Sequence, residues 1–332
     1  MWSVRDKRRL VSAAGAVLAL APTACSAIGG DEPAVNKGSA AHRKVTLITG
    51  LKSDPFYVTM TCAAQAEAQL LKMDLTVDGS AQWDVNVQRP LIDSAAASRP
   101  DGLLVSPVDQ DALTPSLKRL QTAGTKIGLV DTAVGDSAVG ITRISSDNET
   151  GGVLAALALA KQMGDKGSVL LISVKAGVTT TDARIKGFVE EMARHPGITV
   201  LPTLYDDNQP ATAAAQVQSA LAAHPDLRGV FAGNTITAQG IATGLTQAGK
   251  QRTVKVVGFD AGPDQVTALN AGTVQVLVAQ DPAGIGTQAV DQLAAAFEGR
   301  SVSPEIATTM AAITKEDIGN PDFAKYLYHT EC

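Results

Sequence analysis

From residue 45 onward, short apolar runs alternate with longer stretches of helical period. The runs that read as strands are VTLITG (45–50), DLTVDG (74–79), GLLVSP (102–107), KIGLVD (126–131), GSVLLIS (167–173), TVLPTLY (199–205), GVFAG (229–233), VKVVGFD (254–260) and TVQVLVAQ (273–280). Between them, stretches such as GVLAALALAKQM (152–163) and ATAAAQVQSALAAH (211–224) have the spacing of helices. Runs that are apolar on both faces, alternating with helices, predict parallel sheets covered on each side. Nine such units fit two doubly wound α/β lobes that part near residue 146. An eightfold barrel is the weaker alternative.

In open sheets of this kind, ligands sit beyond the carboxyl ends of the strands. The residues found there are Ser53, Asp54, Phe56 and Tyr57, then Ser106, Asp131, Thr132, Asp182, Asn208, Asn234, Asp260 and Gln280. The set is acidic or polar without charge. An ionised carboxylate accepts from two neighbouring hydroxyls, and Asn or Gln both donate and accept. Phe56, Tyr57 and Phe259 offer faces for the C–H surface of a ring. Together these predict a site for a neutral polyhydroxylated ligand. Phe56 and Phe259 read equally well as core residues, and Asn234 as a helix cap.

Catalytic and nucleotide motifs fit poorly. GLTQAGKQ (244–251) comes near a phosphate-binding loop, but Gln251 stands where a magnesium-binding hydroxyl belongs, and Gly249 reads as a helix terminator. GIGTQA (284–289) has the spacing of a dinucleotide turn in the wrong βα unit, so its glycines read as close packing. None of the four histidines falls at a strand end, and no HExxH, GxSxG or paired CxxC occurs. Asp131, Asp182 and Asp260 leave a carboxylate-dependent glycoside hydrolase as the alternative function. The chain is read as a binding protein that needs no cofactor and no metal.

Composition narrows this further. With 332 residues, 45% hydrophobic and 18% charged, the chain has enough apolar content for two cores. A net charge of −5 excludes a nucleic-acid partner, which requires a basic face. Residues 1–24 carry Arg5, Lys7, Arg8 and Arg9 ahead of the apolar stretch VSAAGAVLALA (11–21), the pattern of an export signal too short to span a bilayer. Cys25 follows at once and resembles a bacterial lipoprotein site, although Pro22 departs from that pattern. Residues 25–44 read as a flexible tether. The remaining pair, Cys62 and Cys332, predicts a disulfide in an exported chain and would pin an exposed-looking tail, YLYHTEC.

In this order and spacing, SDPFYVTM, LLVSPVDQDAL, LVDT, SSDNETGG, ARIKGF, AAHPDLRGVFAGN, VKVVGFDAGPD and AQDPAGIG resemble the ribose-binding class of periplasmic sugar-binding proteins, over residues 45–313. The resemblance implies two lobes joined by a three-crossing hinge that closes on a sugar or polyol, and an ABC permease as partner. Residues 45–146 with 281–302 would form the first lobe, 147–280 with 303–316 the second, and 317–332 a tail. The matching positions are Asp54, Phe56, Tyr57, Ser106, Asp131, Asn234, Asp260 and Gln280. Three positions depart from the pattern. Thr132 replaces an arginine, Asn208 replaces a stacking aromatic, and Asp182 aligns with a second arginine that a two-residue shift would place at Arg184. These departures extend the candidate ligands to another pentose or hexose, a polyol or an amine-bearing sugar. The resemblance also implies an exported, membrane-anchored monomer. Repressor effector domains share the fold, but they carry an N-terminal DNA-binding motif where this chain has its export signal.

Overall fold

The computed structural model describes residues 39–332. The export signal, Cys25 and most of the expected tether therefore lie outside the described residues.

The first lobe runs β1 (Lys44–Thr49), α1 (Pro55–Leu70), β2 (Asp74–Gly79), α2 (Val85–Ser98), β3 (Gly102–Val105), α3 (Thr114–Thr122), β4 (Lys126–Val130) and β5 (Thr142–Ser146). The chain then enters the second lobe with α4 (Asn148–Met163), β6 (Gly167–Ser173), α5 (Thr179–Met192), β7 (Ile198–Val200), β8 (Leu204–Tyr205) and α6 (Pro210–Ala223). That lobe continues with β9 (Leu227–Ala232), α7 (Thr235–Gln247), β10 (Lys255–Phe259), α8 (Pro263–Asn270) and β11 (Val276–Gln280). Helix α9 (Pro282–Phe297) returns to pack on α1, and β12 (Glu305–Thr308) and β13 (Met310–Ile313) follow.

One sheet has the order β12-β5-β4-β3-β1-β2, the other β13-β11-β10-β9-β6-β7. All pairs are parallel except β11 with β13. The central strands are buried along their whole length, as in β3 and in Val169–Ile172 of β6, because helices cover both faces. Three crossings join the sheets: between β5 and α4, between β11 and α9, and at Thr309 between β12 and β13.

Several boundaries differ from the sequence reading. The run 199–205 divides into β7 and β8, since Pro202 lies between them and has no N–H for a ladder. Strands β5 and β12 carry no unbroken apolar run, and the four-residue run of β13, MAAI, is too short to stand out as a strand. Residues 303–308, expected in the second lobe, lie with the first sheet, where β12 pairs with β5 in parallel register. The expected tether ends sooner than Lys44: Ala40 is buried in the first core, His42 N–H bonds to Lys72 O at 2.7 Å, and Arg43 pairs with Asp101 at 3.0 Å. Gly249, at φ +66°, follows the end of α7, and a Cβ on Gly286 would collide with the Met60 carbonyl of α1. Both glycine motifs are therefore structural. Cys62 on α1 is joined to Cys332, with Cα atoms 5.2 Å apart. The tail is exposed only in part: Tyr326 and Tyr328 are buried, whereas residues 329–332 lie at the surface.

Candidate ligand-binding site

The carboxyl ends of both sheets face one narrow cleft. Its walls include Asp54, Phe56, Tyr57, Trp83 and Asp131 from the first lobe and Val174, Val178, Thr180, Thr181, Arg184, Asn208, Asn234, Asp260 and Gln280 from the second.

On the first wall, Asp54 caps α1 by accepting from Phe56 N–H at 3.0 Å, which places Phe56 and Tyr57 in the opening turn of the helix. Tyr57 donates its hydroxyl to Asp131 Oδ2 at 2.6 Å. Asp131 follows β4 with φ 62°, a left-handed conformation that aspartate tolerates better than most residues. Trp83, four residues past β2, lies 6.4 Å from Tyr57 with its plane only 25° away.

The second wall carries three adjacent groups of hydrogen bonds. Arg184 donates from Nε to Asn148 Oδ1 and from Nη1 to Gly233 O, both at 2.8 Å, and its guanidinium lies 3.7 Å above the Phe259 ring. Asn234 caps α7 through Thr237 N–H and donates to Asn208 Oδ1 at 2.8 Å. Asp206 beneath them accepts from Asn208 N–H and Thr237 Oγ1. Asp260 follows β10 with φ 78°. Its Oδ2 accepts from Thr235 N–H and Oγ1, each at 3.2 Å, and its Oδ1 from Gln280 Nε2 at 2.7 Å and Tyr328 O–H at 3.1 Å. Gln280 Oε1 and Trp83 Nε1 are buried without a protein partner.

Three carboxylates thus share the cleft with one guanidinium. Burial, reinforced by the charge of Asp260, raises the Asp54 carboxyl to about 7. Burial raises Asp131 to about 6, against the opposing pull of the Tyr57 hydroxyl and Arg184. Asp206 is also raised by burial, to about 6. Burial and the nearby carboxylates keep the Tyr57 and Tyr328 hydroxyls protonated, as donors. The array can accept from several hydroxyls and donate through Arg184 and the amides. Among the described residues, no group of His, Cys, Asp and Glu is arranged to hold a metal.

Of the expected positions, Asp54, Phe56, Tyr57, Asp131, Asn208, Asn234, Asp260 and Gln280 come together here. Four others do not. Ser106 is wholly buried behind the cleft wall, its hydroxyl beside that of Tyr57, and its backbone accepts from Gln88 and donates to Ile48. Thr132 donates to Pro107 O at 2.7 Å and is buried outside the cleft. Asp182 accepts from Gly177 N–H at 2.8 Å and closes the turn before α5; Arg184, two residues on, is the residue in the cleft. Phe259 is core, lying beneath Arg184 rather than against open space. Trp83, Thr180, Thr181 and the valines were not anticipated. Trp83 had a legible signal as the first aromatic beyond a strand end, whereas the others sit in loops whose path no local pattern sets.

A two-lobed α/β protein with a polar cleft between the carboxyl ends of its sheets has the architecture of a protein that holds a solute between its lobes. The chain belongs to the periplasmic binding protein domain family, which matches residues 45–301. It is 29% identical over 286 residues, covering 85% of this chain and 94% of the relative, to the ribose import binding protein of Escherichia coli (strain K12). Among solved structures it resembles an ABC transporter solute-binding protein from Agrobacterium vitis bound with α-D-tagatopyranose, with TM-score 0.84, 39% identity, and 86% and 99% of the two chains covered. A second protein of that organism, with bound D-fucose, aligns with TM-score 0.81 and 27% identity over 86% and 99% of the chains.

Proposed function

We propose that this chain is the extracytoplasmic receptor of an ABC importer, capturing a sugar or polyol between its lobes and presenting it to a membrane permease. The observation that carries this reading is the juxtaposition of Asp54, Tyr57 and Asp131 with Arg184, Asn234, Asp260 and Gln280 across one cleft. Hydroxyls of one ligand would bridge both walls and stabilise closure, and a ligand shifts that equilibrium only by its differential affinity for the closed form. The rings available to cover a sugar face are Phe56 and Trp83 on the first wall, since Asn208 offers none on the second.

Asp260 is a binding group rather than a catalytic one: its carboxylate is engaged by four donors, and no histidine lines the cleft. The basic head and apolar stretch of residues 1–24 support export, Cys25 supports a lipid anchor, and the receptor is read as a monomer. Among the described residues, no helix is long and apolar enough to cross a membrane.

A thermal-shift screen against pentoses, hexoses, polyols and amino sugars tests the reading. Ligand at 100 times its Kd stabilises by about 2.7 kcal/mol. Asp260→Ala is expected to weaken binding on the order of 100-fold, from loss of charge-assisted hydrogen bonds. An unchanged Kd would refute the assignment of Asp260, and no hit across the panel would refute a sugar ligand.

A further inference from the structure

The last fifteen residues follow a path that the three-crossing hinge does not require. Phe323, Tyr326 and Leu327 pack on the core of the second lobe. Lys325 Nζ donates to Asp281 Oδ2 at 2.9 Å and to Thr309 Oγ1 at 2.8 Å, and Tyr326 O–H bonds to the same Thr309 at 3.0 Å. Asp281 and Thr309 lie at two of the hinge crossings, so the tail runs alongside the hinge.

At Tyr328 the tail changes lobe. Its N–H still donates to Ala261 O in the second lobe, at 3.1 Å, and its hydroxyl accepts from Gln280 N–H while donating to Asp260. Its ring, however, belongs to the first-lobe core, edge-on to Phe56 with centroids 5.8 Å apart. One residue later, His329 N–H donates to Thr59 Oγ1 on α1 at 2.8 Å, and Cys332 is bonded to Cys62 on the same helix.

We infer that the tail is a fourth connection between the lobes, locked by the Cys62–Cys332 disulfide, and that Tyr328 is a positioning residue that holds Asp260 for the ligand. The second half of this inference rests on the reading of Asp260 as a ligand-binding group; the first half does not. From Tyr328 to Cys332 the chain can extend at most about 14 Å. Opening of the cleft beside the hinge is therefore limited to that reach, unless the tail peels from the second lobe and surrenders the bonds of Tyr328 to Asp260 and Gln280. Without the disulfide, residues 329–332 can lift from α1 at the cost of one hydrogen bond to Thr59.

The test separates the two halves. Small-angle scattering on the sugar-free full chain is compared with Cys332→Ser and with the wild-type chain under reductant, the latter guarding against a variant that fails to fold. A larger radius of gyration in both, with unchanged circular dichroism, is expected; identical scattering would overturn the strap. Titration with D-tagatose, D-fucose and D-ribose then compares wild type with Tyr328→Phe, which keeps the ring and removes the hydroxyl. The expected result is Kd weakened roughly tenfold, carried by faster dissociation, with the scattering of the closed complex unchanged. An unaltered Kd and dissociation rate would overturn the role of Tyr328. Failure of the wild type to bind any of the three sugars would count against the ligand class, and the scattering result would still decide the strap.

Discussion

Asp131 and Asp260 occupy equivalent places in their lobes, each just past the fourth strand of a doubly wound sheet, each in the left-handed region, and each with its backbone N–H bonded to the neighbouring strand. The conformation turns the chain sharply at the strand end, where the carboxylate can reach the cleft. With Asp54 beside them, burial of the carboxylates, reinforced by their mutual repulsion, gives a definite pH dependence. The Asp54 and Asp131 carboxyls are raised to about 7 and about 6, above their unfolded values, so their contribution to stability is full in acid and lost as pH rises through those values. The melting temperature of the ligand-free chain should fall between about pH 4, where these carboxyls ionise in the unfolded chain, and about pH 7. Asp54→Asn should flatten that fall in a thermal melt repeated across pH. A ligand that donates hydroxyls to the ionised carboxylates favours the charged form, so its affinity should rise over the same interval, with protons released on binding. Calorimetry in buffers of different ionisation enthalpy checks the proton count. The residue scale was also where local position decided least. Ser106, Thr132 and Asp182 stand at strand ends or helix starts like the residues that line the cleft, and only their neighbours in the fold keep them from its lining.

Helices α4 and α5 show how two elements fix one side chain. A Cβ on Gly152 would collide with the Arg184 carbonyl, and one on Gly187 with the Glu149 carbonyl. The two backbones therefore touch, and Arg184 comes close enough to meet Asn148 of α4 and the end of β9. Both glycines lie in stretches that the sequence singled out, SSDNETGG and ARIKGF, although their use as a contact was not legible there. Gly187→Ala should force the helices apart, destabilising the fold by about 1–3 kcal/mol. It should also weaken ligand binding, because Arg184 moves with α5. A melt and a titration of the same variant measure both, and tight binding retained alongside a lowered melting temperature would show that Arg184 is positioned independently of this contact.

At the scale of the molecule, the lobes meet through few direct links outside the hinge and tail. Lys175 Nζ reaches Asp109 Oδ2 at 3.4 Å, and Ala133 N–H donates to Thr179 Oγ1 at 3.1 Å. Both bonds join opposite lobes. Lys175 and Asp109 are partly exposed, so their pairing is worth no more than about 1 kcal/mol. Lys175→Ala should accordingly speed ligand release only a few-fold, measured by stopped flow, and the effect should vanish in high salt. A loss of orders of magnitude would mean that the pair latches the closed state. Removing the disulfide acts on the whole chain, since it closes a loop with a sequence separation of 270 residues. Cys62→Ser should lower the unfolding free energy by about 2–5 kcal/mol.

The sequence by itself determined the two-lobed α/β architecture, because continuous apolar strands alternating with helices can be buried only in covered parallel sheets. It also determined most of the cleft, because such sheets place their working groups at strand ends, and Asp54, Tyr57, Asp131, Asn234, Asp260 and Gln280 stand there. Tertiary structure alone decided that Arg184 rather than Asp182 on α5 lines the cleft, since a two-residue step along a helix turns a side chain through more than half a revolution. It also decided that β12 returns to the first sheet and that a polar-looking tail carries Tyr328 beneath Asp260. Pairing between distant segments and the burial of isolated tyrosines depend on contacts across hundreds of residues, which no local pattern of polar and apolar positions encodes.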